Sequence, residues 1–294
     1  MHAADEMLMN GELGFIVIGT AVGFLVGLTG LGGGILMTPM LLLAGLPPVY
    51  AIGTDLVYAT FTKLFASTLH LREKNVDLRV VRTLLFGSVP GVFIGFVFTV
   101  VLIERFGLGH LNDLLTLFLA ILLILFSVVS LISMARNLLR NKGQVRIVPN
   151  DVRVVFQDLW DQEADELRLM AQPRHSRRIG LVGGALLVGF LVQLTSVGSG
   201  VMITLLLLTI MPAKRVVGTE LLHAFVLVAL SSAIYLYLGF VNFVVLALIV
   251  AGSLPGTYLG VKFASYLPTN YLKAILMVLL FLVGLFLLFM DGTH

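Results

Sequence analysis

Eight apolar stretches, arranged as two matching sets of four, leave this chain few folds to choose from. The first set is 13–45, 50–70, 83–103 and 112–135, and the second is 179–211, 216–238, 241–261 and 271–290. A helix needs about 20 residues to cross a bilayer, and six of the eight stretches supply one span each. The first of each set is too long for one span and is broken near its middle, by GLTGLGGG at 27–34 and by QLTSVGSG at 193–200. Only 12% of the 294 residues are charged and 59% are hydrophobic, against about 25% charged in a soluble protein. That excludes a soluble enzyme, a nucleic-acid binder and a disordered scaffold. The chain has no cysteine, which excludes disulfides, zinc–thiolate centres and iron–sulfur clusters. The start, MHAADEMLMNGE, carries Asp5, Glu6 and Glu12 without Lys or Arg, so it does not read as a secretory signal peptide.

The two sets are copies of each other. GFLVGLTGLGGGILMT (23–38) lies over GFLVQLTSVGSGVMIT (189–204), matching Gly23/Gly189, Thr29/Thr195, Gly32/Gly198, Gly34/Gly200 and Thr38/Thr204 at an offset of 166. GTDL (53–56) meets GTEL (218–221) and GSVPGVFIG (87–95) meets GSLPGTYLG (252–260), both at 165. Three separated matches at nearly one offset point to an internal duplication. The expected organisation is a first transmembrane repeat over 1–139, a cytoplasmic linker over 140–177 and a second transmembrane repeat over 178–294. The linker mixes acidic and basic residues with few apolar ones, and reads as a connector with a short amphipathic element.

Basic residues set the orientation. Arg72, Lys74, Arg79 and Arg82 place the loop near 71–82 inside, and Lys214 and Arg215 place the start of 216–238 inside. Equivalent helices then run in opposite directions. The N- and C-termini fall outside, and every Lys and Arg except Arg105 and Lys63 falls on the cytoplasmic side. The expected fold is all-α: a polytopic membrane protein of two inverted repeats, each with a glycine-broken helical hairpin plus three transmembrane helices. Inverted repeats with interrupted helices are a secondary-transporter architecture, with the solute bound where the broken helices meet.

GLTGLGGGILMTPMLL followed by GTDL, and QLTSVGSGVMIT followed by GTEL, resemble the motifs of the TauE/SafE family of membrane proteins. The resemblance covers both halves and leaves out the linker and the termini. It implies a secondary transporter that exports sulfite or an organosulfonate across the cytoplasmic (inner) membrane. The linker is longer than the family pattern, and Asp55 and Lys63 stand in a helix where many relatives are neutral.

The residues that suit such a task cluster in the breaks. Thr29, Gly30, Gly32, Gly33 and Gly34 mirror Thr195, Ser196, Gly198, Ser199 and Gly200. A starting half-helix presents unpaired N–H groups and a partial positive charge, which suits an anion. The competing role for these small residues is close helix packing. Lys63, in the span 50–70, is expected to face a cavity as an anion ligand, or to snorkel toward the cytoplasm. Asp55 and Glu220 occupy equivalent positions and are candidates for carrying a coupled proton. The alternative is an ordinary acid in the first turn of a helix, with Thr54 or Thr219 as the N-cap. His223, three residues after Glu220, can touch it on one helical face and is a candidate relay. Pro90 and Pro255 are expected to kink their spans.

No second His or carboxylate near His223 has metal-ligand spacing, so neither a metal nor a cofactor is expected. The partners expected are a small anionic solute and membrane lipid, and nothing in the sequence fixes an oligomeric state. Two other functions compete with a carrier. A passive anion channel would use the same site. An intramembrane serine protease would pair Ser199 with His223, but Ser199 duplicates Gly33, which argues against a nucleophile.

Overall fold

The computed structural model describes residues 2–29, 34–72, 76–141, 174–197, 200–208, 213–264 and 269–290. Every regular element among them is a helix: α1 His2–Thr29, α2 Gly34–Leu43, α3 Pro48–Arg72, α4 Leu78–Asn141, α5 Arg174–Thr195, α6 Val201–Leu208, α7 Ala213–Tyr237, α8 Phe243–Ala264 and α9 Thr269–Met290. The amphipathic element expected in the linker lies outside the described residues.

Local chemistry explains the helix ends. α2 stops where Gly45 takes a positive φ of 85°. There the Gly45 N–H bonds Leu42 O and the Leu46 N–H bonds Leu41 O, a Schellman termination. Pro48 then opens α3, where its missing N–H costs nothing. α7 ends the same way at Gly239 (φ 77°), with Phe240 N–H on Tyr235 O. Asp77 Oδ1 accepts from Arg79 N and Val80 N to cap α4, and Asn242 Oδ1 accepts from Val244 N and Val245 N to cap α8.

Segments 83–103 and 112–135 are two helices in direct succession that meet at Gly107, where φ is 80° and ψ is 171°. The apolar part, Leu78–Ile132, is 55 residues long. Straight, it would measure about 80 Å, far beyond a hydrocarbon core of roughly 30 Å, so it supplies two spans that meet at this glycine. Thr54 and Thr219 are not N-caps, because α3 starts at Pro48 and α7 at Ala213. Each lies inside its helix, and its hydroxyl accepts from the cap residue of the other repeat: Asn242 N to Thr54 at 3.1 Å and Asp77 N to Thr219 at 3.0 Å.

The repeats exchange partners. α1 packs on α8 and α4 on α5, so the first helix of each repeat lies against the third span of the other. Glycine makes these crossings close. Gly19, Gly23 and Gly27 meet Ile249, Ser253 and Thr257, while Gly87, Gly91 and Gly95 meet Val182, Leu186 and Gln193. Small residues at such spacing let membrane helices approach backbone to backbone. α3 also packs on its own duplicate α7. Gly53 faces Tyr235 and Phe240, Thr60 bonds Ser232 and Lys63 meets Glu220. Rising numbers on one helix meet falling numbers on the other, so the two helices run antiparallel.

The core divides into two apolar clusters, and both draw on both repeats. One joins α3 and α4 to α5, α6 and α7 through Leu56, Leu84, Val192 and Leu227. The other joins α1, α2 and α4 to α8 and α9 through Val22, Leu36, Leu119, Ile249 and Leu280. Outward, large side chains such as Phe65, Phe86, Leu254 and Phe289 are exposed. In water this would be an extensive sticky surface; on an integral membrane protein it is the face that lipid solvates.

The crossings carry a direct prediction. A Cβ at Gly189 would collide with Ser88 O, and one at Gly91 with Leu186 O, whereas one at Gly183 meets nothing within 4 Å. Gly189→Ala and Gly91→Ala should each destabilise by about 1–3 kcal/mol, the usual cost of overpacking. Gly183→Ala should melt at or slightly above wild type, because alanine is the better helix former. Thermal unfolding of the purified protein checks this, and equal melting of all three would contradict the exchanged packing.

Candidate functional site

The two breaks fall where the sequence places them. α1 closes at Thr29 and α2 opens at Gly34; α5 closes at Thr195, and Gly200 immediately precedes α6. Gly30, Gly32, Gly33, Gly198 and Ser199 lie outside the described residues. The second break is stitched locally. Thr195 Oγ1 donates to Leu191 O at 2.8 Å and accepts from Val197 N at 3.3 Å, so its hydroxyl serves the turn itself. Ser196 has a φ of 60°, an unusual conformation for a residue other than glycine. Its N–H bonds Val192 O at 2.9 Å, and its hydroxyl reaches across to α3.

That hydroxyl finds Asp55. Asp55 is fully buried, and its Oδ2 accepts from Thr38 Oγ1 at 2.6 Å and from Ser196 Oγ at 2.8 Å. Thr38 belongs to the hairpin of the first repeat and Ser196 to that of the second. One carboxylate oxygen therefore ties both broken hairpins together. The other, Oδ1, has no hydrogen-bond partner in the protein. Asp55 also stands at the opening of α2, with Oδ2 3.8 Å from where a Cβ on Gly34 would be.

Glu220 repeats the arrangement. It is buried, and its Oε1 lies 3.5 Å from the Cβ position of Gly200, at the opening of α6. Asp55 and Glu220 are duplicates, and so are Gly34 and Gly200. Each half-helix start thus faces the acid of its own repeat. Neither acid lies in the first turn of its own helix, so the dipole of α3 or α7 is not what holds it.

Lys63 pairs across the repeats. Its Nζ is 3.5 Å from Glu220 Oε1, and only 11% of the lysine side chain and 8% of the glutamate side chain are exposed. The contact is a loose one for a buried ion pair, longer than the ~2.7–2.9 Å of a charge-assisted hydrogen bond. The partner of Lys63 thus comes from the other repeat.

His223 does not hydrogen-bond Glu220. Its Nε2 pairs with Ser88 Oγ at 2.9 Å, and its Nδ1, also buried, has no partner. The duplicate positions are Tyr58 and Ser253, and these two side chains also meet.

Sequence reading overlooked three residues here. Thr38 was visible only as a duplicated position, Ser88 only as part of the S-x-P-G motif, and Gln193 only as the point where the second repeat departs from Gly27 of the first.

The chain matches the family described as "Sulfite exporter TauE/SafE" over residues 15–287. It is 30% identical to the "Probable membrane transporter protein YjnA" of Bacillus subtilis (strain 168), over 93% of this chain and 98% of that one. It is 28% identical to YunE of the same organism over 92% of this chain and 94% of that one, and 26% identical to YdhB over 93% and 99%; both carry the same description. No solved structure matches the chain.

Proposed function

The chain belongs to the TauE/SafE family, and on that premise we propose that this integral membrane transporter exports a small anion, sulfite or an organosulfonate such as sulfoacetate, across the cytoplasmic membrane. In this reading both termini are outside and the 140–177 linker is cytoplasmic. Transport proceeds by alternating access.

The observation that carries the reading is the bridging of both hairpins by Asp55. The anion site lies at the starts of the half-helices, with Gly34 and Gly200 giving close backbone approach. Thr29, Gly30, Gly32, Gly33, Gly198 and Ser199 belong to the same two breaks. In this reading Asp55 and Glu220, when ionised, place a negative charge beside the positive helix ends. An arriving anion must therefore compete with a carboxylate. Protonation of the acid removes that competitor, frees the helix end and, at Glu220, releases Lys63 to the solute. Proton binding and anion binding then favour each other, which is the coupling a driven carrier needs. His223, held by Ser88, completes the relay.

Flux into proteoliposomes tests this with a panel of labelled sulfite, sulfonates and dicarboxylates, with and without a proton gradient. The expected result is saturable flux of a sulfur oxyanion, accelerated by the gradient, with counterflow. Single-channel currents without counterflow would favour a pore. A folded, oriented protein that moves none of the panel would overturn the substrate class.

A further inference from the structure

We propose that the Gln193 carboxamide is a direct ligand of the transported oxyanion and sets its selectivity. This assignment rests on the anion-transporter reading above. Gln193 is fully buried in α5, yet neither its Nε2 nor its Oε1 has a hydrogen-bond partner in the protein. A buried amide left unpaired on both sides is costly, and such groups are rare in native structures.

Its place in the fold shows that the side chain is accommodated, not incidental. Gln193 stands on the close crossing of α5 with α4, where the duplicate position in the first repeat is Gly27. Gly27 leaves the α1–α8 crossing without a side chain, against Thr257 and Gly260. At the α4–α5 crossing, Gly95 makes the room: a Cβ there would lie 2.9 Å from both Cβ and Cγ of Gln193. At this crossing position the two repeats therefore differ, and the difference is a buried amide.

Contacts of the Gln193 main chain and its neighbours lead to the breaks. Tyr235 OH donates to the Gln193 main-chain O at 3.0 Å, and the Tyr235 ring lies against Gly53, two residues before Asp55. Ser196, one turn after Gln193, donates to Asp55, whose Oδ1 is also unpartnered. The amide offers two N–H donors to an anionic oxygen and one carbonyl acceptor. It is satisfied in full by an oxyanion that still carries a proton, such as hydrogensulfite, and less well by sulfate, which only accepts. A site built around such a group discriminates strongly against a solute that leaves it unpaired.

The test compares wild type, Gln193→Leu and Gln193→Asn in purified protein. It reads melting with and without sulfite, with sulfate and chloride as comparators, and sulfite flux in proteoliposomes. Wild type is expected to be stabilised by sulfite above the comparators, as ligand binding to the folded state requires. Gln193→Leu, with two unpaired groups removed at similar volume, is expected to melt no lower than wild type without ligand. It should lose the sulfite-specific shift and raise the KM for sulfite about tenfold or more, within the range for one lost pairing; Gln193→Asn should fall between. An unchanged sulfite shift and KM in Gln193→Leu would overturn the assignment. Melting of unliganded Gln193→Leu well below wild type would give the amide a structural partner and overturn it too. Absence of any anion-dependent shift or flux in folded wild type would instead strike the anion-transporter reading, and this assignment with it.

Discussion

Asp55→Asn should leave a folded protein that still exchanges one labelled anion for another but no longer accumulates it in response to a proton gradient. Asparagine keeps an oxygen where Oδ2 accepts from Thr38 and Ser196, so the tie between the hairpins survives. It carries neither the charge that competes with the solute nor a proton to release. Gradient-driven flux should fall to the level of empty vesicles, while counterflow, which needs no net proton movement, persists. Asp55→Ala is harsher. It leaves two buried hydroxyls without their acceptor, each costing about 1–3 kcal/mol, and unties the hairpins, so both modes of flux should fall. Its melting temperature should drop by roughly 2–4 °C for each kcal/mol lost, by analogy with soluble chains of similar size. Undiminished gradient-driven accumulation in Asp55→Asn would remove Asp55 as the proton carrier and leave Glu220 in that role.

Much of the fold was legible because duplication prints the same text twice. The hairpin breaks repeat at an offset of 166, and the paired acids and the prolines within the helices at 165. What the sequence withholds is which helix meets which. The glycines at 87, 91 and 95 and at 252, 256 and 260 form plain four-residue stripes. A stripe says that something comes close, not that the partner is the first helix of the opposite repeat. Lys63 shows the same limit. Helical spacing offers Asp55 on its own helix, but the ion pair forms with Glu220, which only the antiparallel packing of α3 on α7 brings near. The polar run ERFGLGHLND (104–113) resembles a loop by composition, although a single glycine is enough to turn the chain there. The start of α3 was readable in principle, since Gly45 followed by Pro47 and Pro48 marks a stop and a start. Placing the helix there moves Thr54 from cap to interior.

Lys63→Met and Glu220→Gln should each destabilise the protein by about 3–5 kcal/mol, because each leaves one buried charge without its partner. Combined, they should cost far less than the sum, since the double variant buries no unpaired charge. The interaction should approach the upper part of the ~0.5–3 kcal/mol seen for directly coupled sites, or exceed it. Lys63→Met combined with Asp55→Asn is the control and should be closer to additive, because Lys63 has its ion pair with Glu220 and not with Asp55. Thermal or denaturant unfolding of the three single and two double variants measures both cycles, and additivity in the first would dismiss the ion pair. Stability alone does not exhaust what the pair does. At 3.5 Å the contact is long enough to yield to a competing anion, and a lysine serving only to neutralise Glu220 would be dispensable once Glu220 is neutral. The double variant should therefore recover melting but not flux, because the solute has lost the one cation that the opening of the pair would deliver to it. Recovery of flux together with stability would reduce Lys63 to a counter-charge and take it out of the anion site.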